Sequence, residues 1–184
     1  RRVGPRSWWA ILAVTTVPFL IGVAQVVVER SGWTALSTGV IFLLALALAL
    51  TRRPGLGAPL RAISAGLLVP SLAVVVVCLG AQLLPGSGSP VVLPVVAAIV
   101  AAVLPATEAC RDALVRHGIP DGDAAAARLA LEASALLTGA IAVALGLVRQ
   151  AAGLGTTLLV LVILGIGAAA AARWGGRRYG WWLA

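Results

Sequence analysis

The sequence predicts an all-α, polytopic membrane protein with six transmembrane helices and both termini in the cytoplasm. Hydrophobic residues make up 61% of the 184 residues and charged residues only 11%, whereas a soluble domain is nearer a quarter charged. Six apolar stretches are each about long enough to cross a roughly 30 Å hydrocarbon core at 1.5 Å per helical residue. All 14 basic residues are arginines, and they are divided unequally between the two sets of segment ends.

The division of the arginines predicts the orientation. Arg30 and Arg149 lie at one set of ends, and all the others lie at the opposite set. These others are Arg1, Arg2, Arg6, Arg52, Arg53, Arg61, Arg111, Arg116, Arg128, Arg173, Arg177 and Arg178. Because cytoplasmic loops retain arginine, the larger set indicates the cytoplasmic side and places both termini there.

The connections between the apolar segments are short and contain helix-ending residues. The spans are predicted at about 8–28, 33–50, 62–84, 91–107, 124–148 and 156–172. Trp8 and Trp33 begin the first two segments, where aromatic rings favour the membrane interface. Thr51–Gly55 contains Pro and Gly and is predicted to be an inner loop, and Pro85–Pro90 is predicted to be an outer turn. Residues 1–184 are therefore expected to form a single transmembrane helical domain.

The one sizeable hydrophilic stretch, residues 108–123, is predicted to be a cytoplasmic loop. Within it, Thr107–His117 is expected to continue segment four as a short helix at the cytoplasmic face. Gly118–Pro120 would end that helix, and Asp121 or Asp123 would cap the next one. The charged side chains that we expect to contact a cytoplasmic partner are Arg111, Asp112 and Arg116.

Segment five carries a row of small residues at spacings of four, three and four, which places them on one helix face. The row consists of Ala135, Gly139, Ala142 and Gly146. Small side chains allow another helix backbone to approach closely, so we expect this face to be a packing surface and segment five to be the most buried of the six. Gly165 and Ala169 offer a shorter version of the row in segment six.

Glu132 is predicted to lie just inside the hydrocarbon boundary, where an unpaired carboxylate is costly. Arg128 precedes it by four residues on the same helix face, so we expect an ion pair between the two side chains. The alternative interpretation is that Glu132 is a proton or ligand site.

The residues required for several kinds of enzyme are scarce, so we expect a protein that is not an enzyme and has no cofactor or metal. His117 is the only histidine, and Cys78 and Cys110 are predicted to lie at different depths. The net charge of +8 does not indicate nucleic-acid binding, because the arginines are distributed among short loops and termini. That distribution instead favours contact with anionic lipids at the cytoplasmic face.

From segment two onward, the order of features resembles EccD, the multi-spanning membrane subunit of type VII secretion in actinobacteria. The features include a Gly-rich outer turn after segment three, then Leu104-Pro105, and later Gly118-Ile119-Pro120. An Ala-rich helix containing Leu136–Gly139 follows, and a basic end at Arg177–Tyr179 completes the order. The resemblance implies a scaffold without enzymatic activity that contacts other membrane-protein subunits. EccD also has a ubiquitin-like domain and more spans, so the chain would be an excerpt or a reduced relative.

The sequence therefore predicts a non-enzymatic component of a secretion or transport complex in the bacterial inner (plasma) membrane. The alternative is the six-span permease of an ABC-2-type exporter or another small-molecule transporter, with Thr107–His117 as the helix that docks on an ATPase. Because the sequence contains no methionine, even at position 1, we expect it to be a piece of a longer protein.

Overall fold

A computed structural model of the chain describes residues 32–52, 57–83, 88–148 and 153–175, and no strand occurs within those ranges. The helices are α1 (Gly32–Leu50), α2 (Ala58–Leu83), α3 (Gly88–Arg116), α4 (Asp121–Val148) and α5 (Gly153–Gly175). The prediction of an all-α fold is confirmed. Helices α1 to α5 correspond to predicted segments two to six, whereas segment one lies outside the described residues.

Each of these five helices is long and apolar enough to cross a membrane. The shortest, α1, has 19 residues, and the longest, α3, has 29. Large apolar side chains are exposed along the outer faces of the helices, including Trp33, Val40, Leu137 and Ile166. An exposed apolar surface of this extent is stable in a hydrocarbon environment and unfavourable in water. The helices are therefore compatible with an integral membrane protein.

The helices pack around a core of small and branched residues, and the most extensive contacts join helices that are two apart in the chain. Helix α2 packs against α1 and α4, and α3 packs against α4 and α5. The first core cluster consists of Ala73, Leu93, Val96, Ala97, Ala142 and Val160. The second consists of Val69, Val100, Leu104, Ala135 and Ala171. Since lipid tails are as apolar as these side chains, close packing rather than hydrophobic burial must hold the helices together.

The predicted loop at 108–123 is mostly helical. Helix α3 continues to Arg116, which agrees with the helical continuation expected over Thr107–His117 and leaves only residues 117–120 between α3 and α4. Gly118 ends the helix with φ of +88°, a conformation that glycine adopts without steric cost. The N–H of Gly118 donates to the Val115 carbonyl, and the N–H of Ile119 donates to the Leu114 carbonyl. This pair of bonds is a Schellman motif, and the buried Ile119 side chain completes it.

Helix α3, rather than α4, is the most buried of the described helices. The prediction that segment five would be the most buried is therefore wrong. Both helices pack against three neighbours, but α4 keeps large apolar side chains on an outward face. Leu129, Leu137 and Ile141 are all exposed on that face of α4.

Helices α3 and α5 approach each other closely near a proline that interrupts the hydrogen bonding of α3. Pro105 lies inside α3 and has no N–H to donate to the carbonyl of Ala101, four residues earlier. Gly167 of α5 packs directly on Ala101: a Cβ atom added to Gly167 would lie 2.5 Å from the Ala101 Cα and 3.0 Å from its carbonyl oxygen. Only glycine fits at this position. Its Cα–H lies against a carbonyl group that has lost its usual donor, a contact that is weakly favourable in a medium without water.

Candidate functional site

Charged side chains gather where the C-terminal ends of α1 and α3 meet the N-terminal ends of α2 and α4. We call this region the polar end. It comprises Arg52, Arg61, Glu108, Arg111, His117, Asp121, Asp123 and Arg128. These four helix ends are the ones that the arginine pattern assigns to a common side of the membrane. The structure brings them together through side-chain contacts.

Arg61, in the first turn of α2, connects three helices. Its guanidinium donates hydrogen bonds to the carbonyls of Ala49 at 2.7 Å and Thr51 at 3.1 Å, at the C-terminal end of α1. Its Nε atom lies 3.6 Å from a carboxylate oxygen of Asp123, in the first turn of α4. The Arg61 side chain is only 2% exposed.

The helix dipoles explain why a buried arginine is stable in this place. A positive charge near the N-terminus of its own helix is unfavourable. Arg61 reaches away from that terminus to the last carbonyls of α1, which have no partner within their helix. Asp123 is in turn favourably placed at the positive end of α4. The contacts around Arg61 thus join the negative end of one helix to the positive end of another.

A second set of ion pairs joins α3 to α4. The Arg128 guanidinium contacts Glu108 across the helix pair. Glu108 also lies 3.8 Å from Arg111, one turn later on α3, and Arg111 donates to Asp121 at 2.7 Å. Positive and negative charges therefore alternate along a single chain of contacts. The Arg128–Glu108 pair is partly buried and is therefore less screened by salt than the pair of Arg111 with the exposed Asp121.

The remaining charged groups of this region point outward. Asp112 and Arg116, two of the three residues predicted to contact a partner, are exposed on α3. The third, Arg111, is half-buried by its bonds to Asp121 and Glu108. Arg52 lies 2.8 Å from Nδ1 of the exposed His117, in a geometry that requires this nitrogen to be the acceptor. Asp112 and Arg116 are thus the members of the predicted contact set whose side chains face outward.

Glu132 lies one turn below Arg128 on α4 and is 5% exposed. The Arg128 guanidinium makes its closest contact with Glu108, on the neighbouring helix. The sequence pattern did not indicate that contact, because it joins residues 20 positions apart in the chain. The ion pair between Arg128 and Glu132 stays a prediction.

The four small residues predicted on segment five share the inward face of α4, and all are buried. Ala135 and Ala142 each belong to a core cluster. A Cβ atom added to Gly139 would meet Val100 of α3 at 3.3 Å and Leu164 of α5 at 3.4 Å. Gly146 lies beside Thr157, whose hydroxyl donates to the Gly146 carbonyl at 3.1 Å. This face meets both α3 and α5.

Two important positions were missed by the sequence reasoning. Arg61 was interpreted as one of several loop arginines, but it lies within α2 and is buried. Its spacing from Asp123 carries no local signal that could have linked them. In segment six, the sequence reasoning favoured Gly165, whereas Gly167 makes the close contact with α3. The only sequence signal for Gly167 is that glycine is unfavourable inside a helix, so a glycine found there is often needed for close packing.

No protein-family model matches the chain, and no curated protein or solved structure matches it either. Within the described residues, no group of three His, Cys, Asp or Glu side chains is placed to hold a metal ion. The resemblance to EccD therefore depends on the sequence features alone.

Proposed function

We propose that this chain is a non-enzymatic membrane subunit that works through protein contacts in a secretion or transport complex, and that it is an EccD-like type VII secretion component. The observation that best supports the proposal is the polar end. There, ion pairs join α2 to α4 and α3 to α4, and Arg61 also holds the end of α1. Beside this fixed framework, Asp112 and Arg116 remain exposed. A surface that is ordered before its partner arrives loses less conformational entropy on binding.

The way the helices meet also supports a scaffold. Ala97 of α3 and Ala135 of α4 are fully buried, and Gly167 of α5 lies so close to α3 that even a methyl group would not fit. Close backbone contacts of this kind hold the three helices together as one unit, and a rocking motion between them would have to break those contacts. A subunit built in this way suits a fixed role in an assembly.

For the whole chain, we propose six spans in a bacterial plasma membrane, with both termini and the polar end in the cytoplasm. The support is the distribution of arginines between the two sets of helix ends. Other membrane-protein subunits and anionic lipids at the cytoplasmic face are the proposed partners.

Purification from native membranes in mild detergent, followed by mass spectrometry of the co-purifying proteins, tests this function. Exchanging the charges in an Asp112→Arg, Arg116→Asp variant keeps the net charge and leaves the buried ion pairs in place. We expect the recovery of partner subunits to fall at least tenfold, while Arg173→Asp, a charge reversal at an exposed arginine on α5, leaves it unchanged even though it alters the net charge. A chain that purifies alone, or equal recovery from both variants, would contradict the proposal.

The second candidate is a permease of the ABC-2 type. The observation that favours it is the continuation of α3 through residues 107–116, which presents an exposed helical surface to which an ATPase could bind. Glu132→Gln separates the two functions. If the complex assembles with this variant but transport of a defined small molecule stops, the scaffold function is wrong. Unchanged assembly and unchanged export of the complex's cargo would instead support the scaffold.

A further inference from the structure

An apolar groove runs along the outer surface between α3 and α5. Ala98 and Ala102 form one wall on α3, and Ile163, Ala170 and Trp174 form the other on α5. Gly167 lies at its floor, where the two backbones meet. The groove has a volume of about 400 Å³, and its lining is almost entirely apolar.

The groove matches one leaflet of a bilayer in length and depth. Ile163 and Trp174 are eleven residues apart, or about 16 Å along a helix, which is close to half of a 30 Å hydrocarbon core. Helices α3 and α5 both run toward the polar end, and Gly167 contacts Ala101. Trp174 lies seven residues after Gly167, and Glu108 of the polar end lies seven residues after Ala101. Trp174 therefore lies at the level of the polar end, where the interface begins.

The inner mouth of the groove carries groups that suit a lipid headgroup. Trp174 is 74% exposed, and tryptophan favours the boundary between hydrocarbon and headgroups. Its neighbour Arg173 is also exposed. None of the ion pairs in the described part of the chain involves Arg173. Arg173 precedes the lining residue Trp174 in the chain, so its positive charge lies near the inner end of the groove and is complementary to an anionic headgroup above an acyl chain.

We propose that this groove binds one acyl chain of an anionic phospholipid, with the headgroup phosphate held by the Arg173 guanidinium. The groove's length of about one leaflet and the positive charge near its inner end favour a lipid chain over another helix. The site is independent of the proposed scaffold function and would be present whichever complex the chain joins.

Fluorescence quenching by brominated lipids tests the site. In a variant whose only tryptophan is Trp174, with the others replaced by phenylalanine, the protein is reconstituted into phosphatidylcholine vesicles. These contain a minor fraction of either acyl-brominated phosphatidylglycerol or acyl-brominated phosphatidylcholine. One arginine at the membrane surface should favour the anionic lipid roughly fivefold in quenching efficiency. Arg173→Gln should abolish this preference, whereas Arg52→Gln, at an exposed arginine of the same bundle end, should retain it.

A second variant tests the groove itself. Ala102→Leu fills the groove from an exposed position, so folding should be unaffected while quenching by both lipids decreases. Ala140→Leu, at an exposed alanine on α4, is the matched control and should leave quenching unchanged. If both lipids quench Trp174 equally and Arg173→Gln does not change this result, only non-selective surrounding lipid reaches Trp174. Absence of quenching would mean that a protein helix covers the groove. Either result would overturn the proposal.

Discussion

Replacing Arg61 with leucine should weaken the attachment of the C-terminal end of α1 to α2 and α4. The change removes hydrogen bonds of 2.7 and 3.1 Å to the Ala49 and Thr51 carbonyls, together with the contact to Asp123. The apolar volume of leucine replaces most of the arginine stem, so the loss should come mainly from polar groups that no longer have partners. Far from this site, the five helices should keep their packing.

The magnitude follows from the burial of each contact. A hydrogen bond to a charged group contributes about 1.5–3 kcal/mol, and there are two of these. The ion pair adds less than about 1 kcal/mol, because Asp123 is 20% exposed and partly hydrated. Water near the membrane surface will recover part of the loss for the two carbonyls. We therefore expect the free energy of unfolding to fall by about 3 kcal/mol, or more than a hundredfold in the equilibrium constant.

The buried thiol of Cys78 provides the assay. Cys78 is 1% exposed in the C-terminal half of α2, whereas Cys110 is exposed and is removed as Cys110→Ser. Thiol labelling of Cys78 in detergent with increasing denaturant then reports unfolding. Arg61→Lys keeps the charge but cannot reach both carbonyls at once, so its labelling midpoint should be intermediate. Arg52→Leu, at an exposed arginine of the same region, should change the free energy by less than about 1 kcal/mol. The reasoning fails if Arg61→Leu unfolds at the wild-type midpoint, or if Arg52→Leu shifts it equally.

Two further predictions concern packing and orientation. Gly139→Leu should lower the free energy of unfolding by about 3 kcal/mol or more, because the leucine side chain must displace Val100 and Leu164. The control is Ala140→Leu, on the exposed side of α4. In the same unfolding assay it should change the free energy by less than about 0.5 kcal/mol. A single cysteine placed at Ser87 should react with a membrane-impermeant reagent added outside intact cells, whereas one placed at Gly122 should not; labelling at Gly122 alone would reverse the orientation.

The extent of the helices could be predicted because it depends on local properties of the chain. Apolar runs of about 20 residues bounded by Gly, Pro and Arg form helices wherever they pack, so α1 and α5 begin close to where the sequence places them. The end of α3 was predictable for the same reason, since a Gly118 that continues into Ile119-Pro120 suits a Schellman motif.

The contacts between helices could not be predicted in the same way. In a chain so rich in alanine and glycine, several faces of a helix present small residues, and the pattern does not identify the one that meets a neighbour. Gly167 makes the close contact with α3, and Gly165 does not, because of the position at which α5 meets α3. The partners of Arg61 and Arg128 are likewise set by the arrangement of the helices, because each lies on a different helix from the residue that it contacts.

The contact between Pro105, Ala101 and Gly167 links three positions that are far apart in the chain. A substitution that restored an N–H at 105 would give the Ala101 carbonyl a donor within α3, while any side chain at 167 would push the two backbones apart. Each change alone should therefore be selected against, and relatives that have lost the proline should also have changed position 167. In a set of homologous sequences, residues 101, 105 and 167 should accordingly vary together as one evolutionary unit, more closely than neighbouring residues on the same helices.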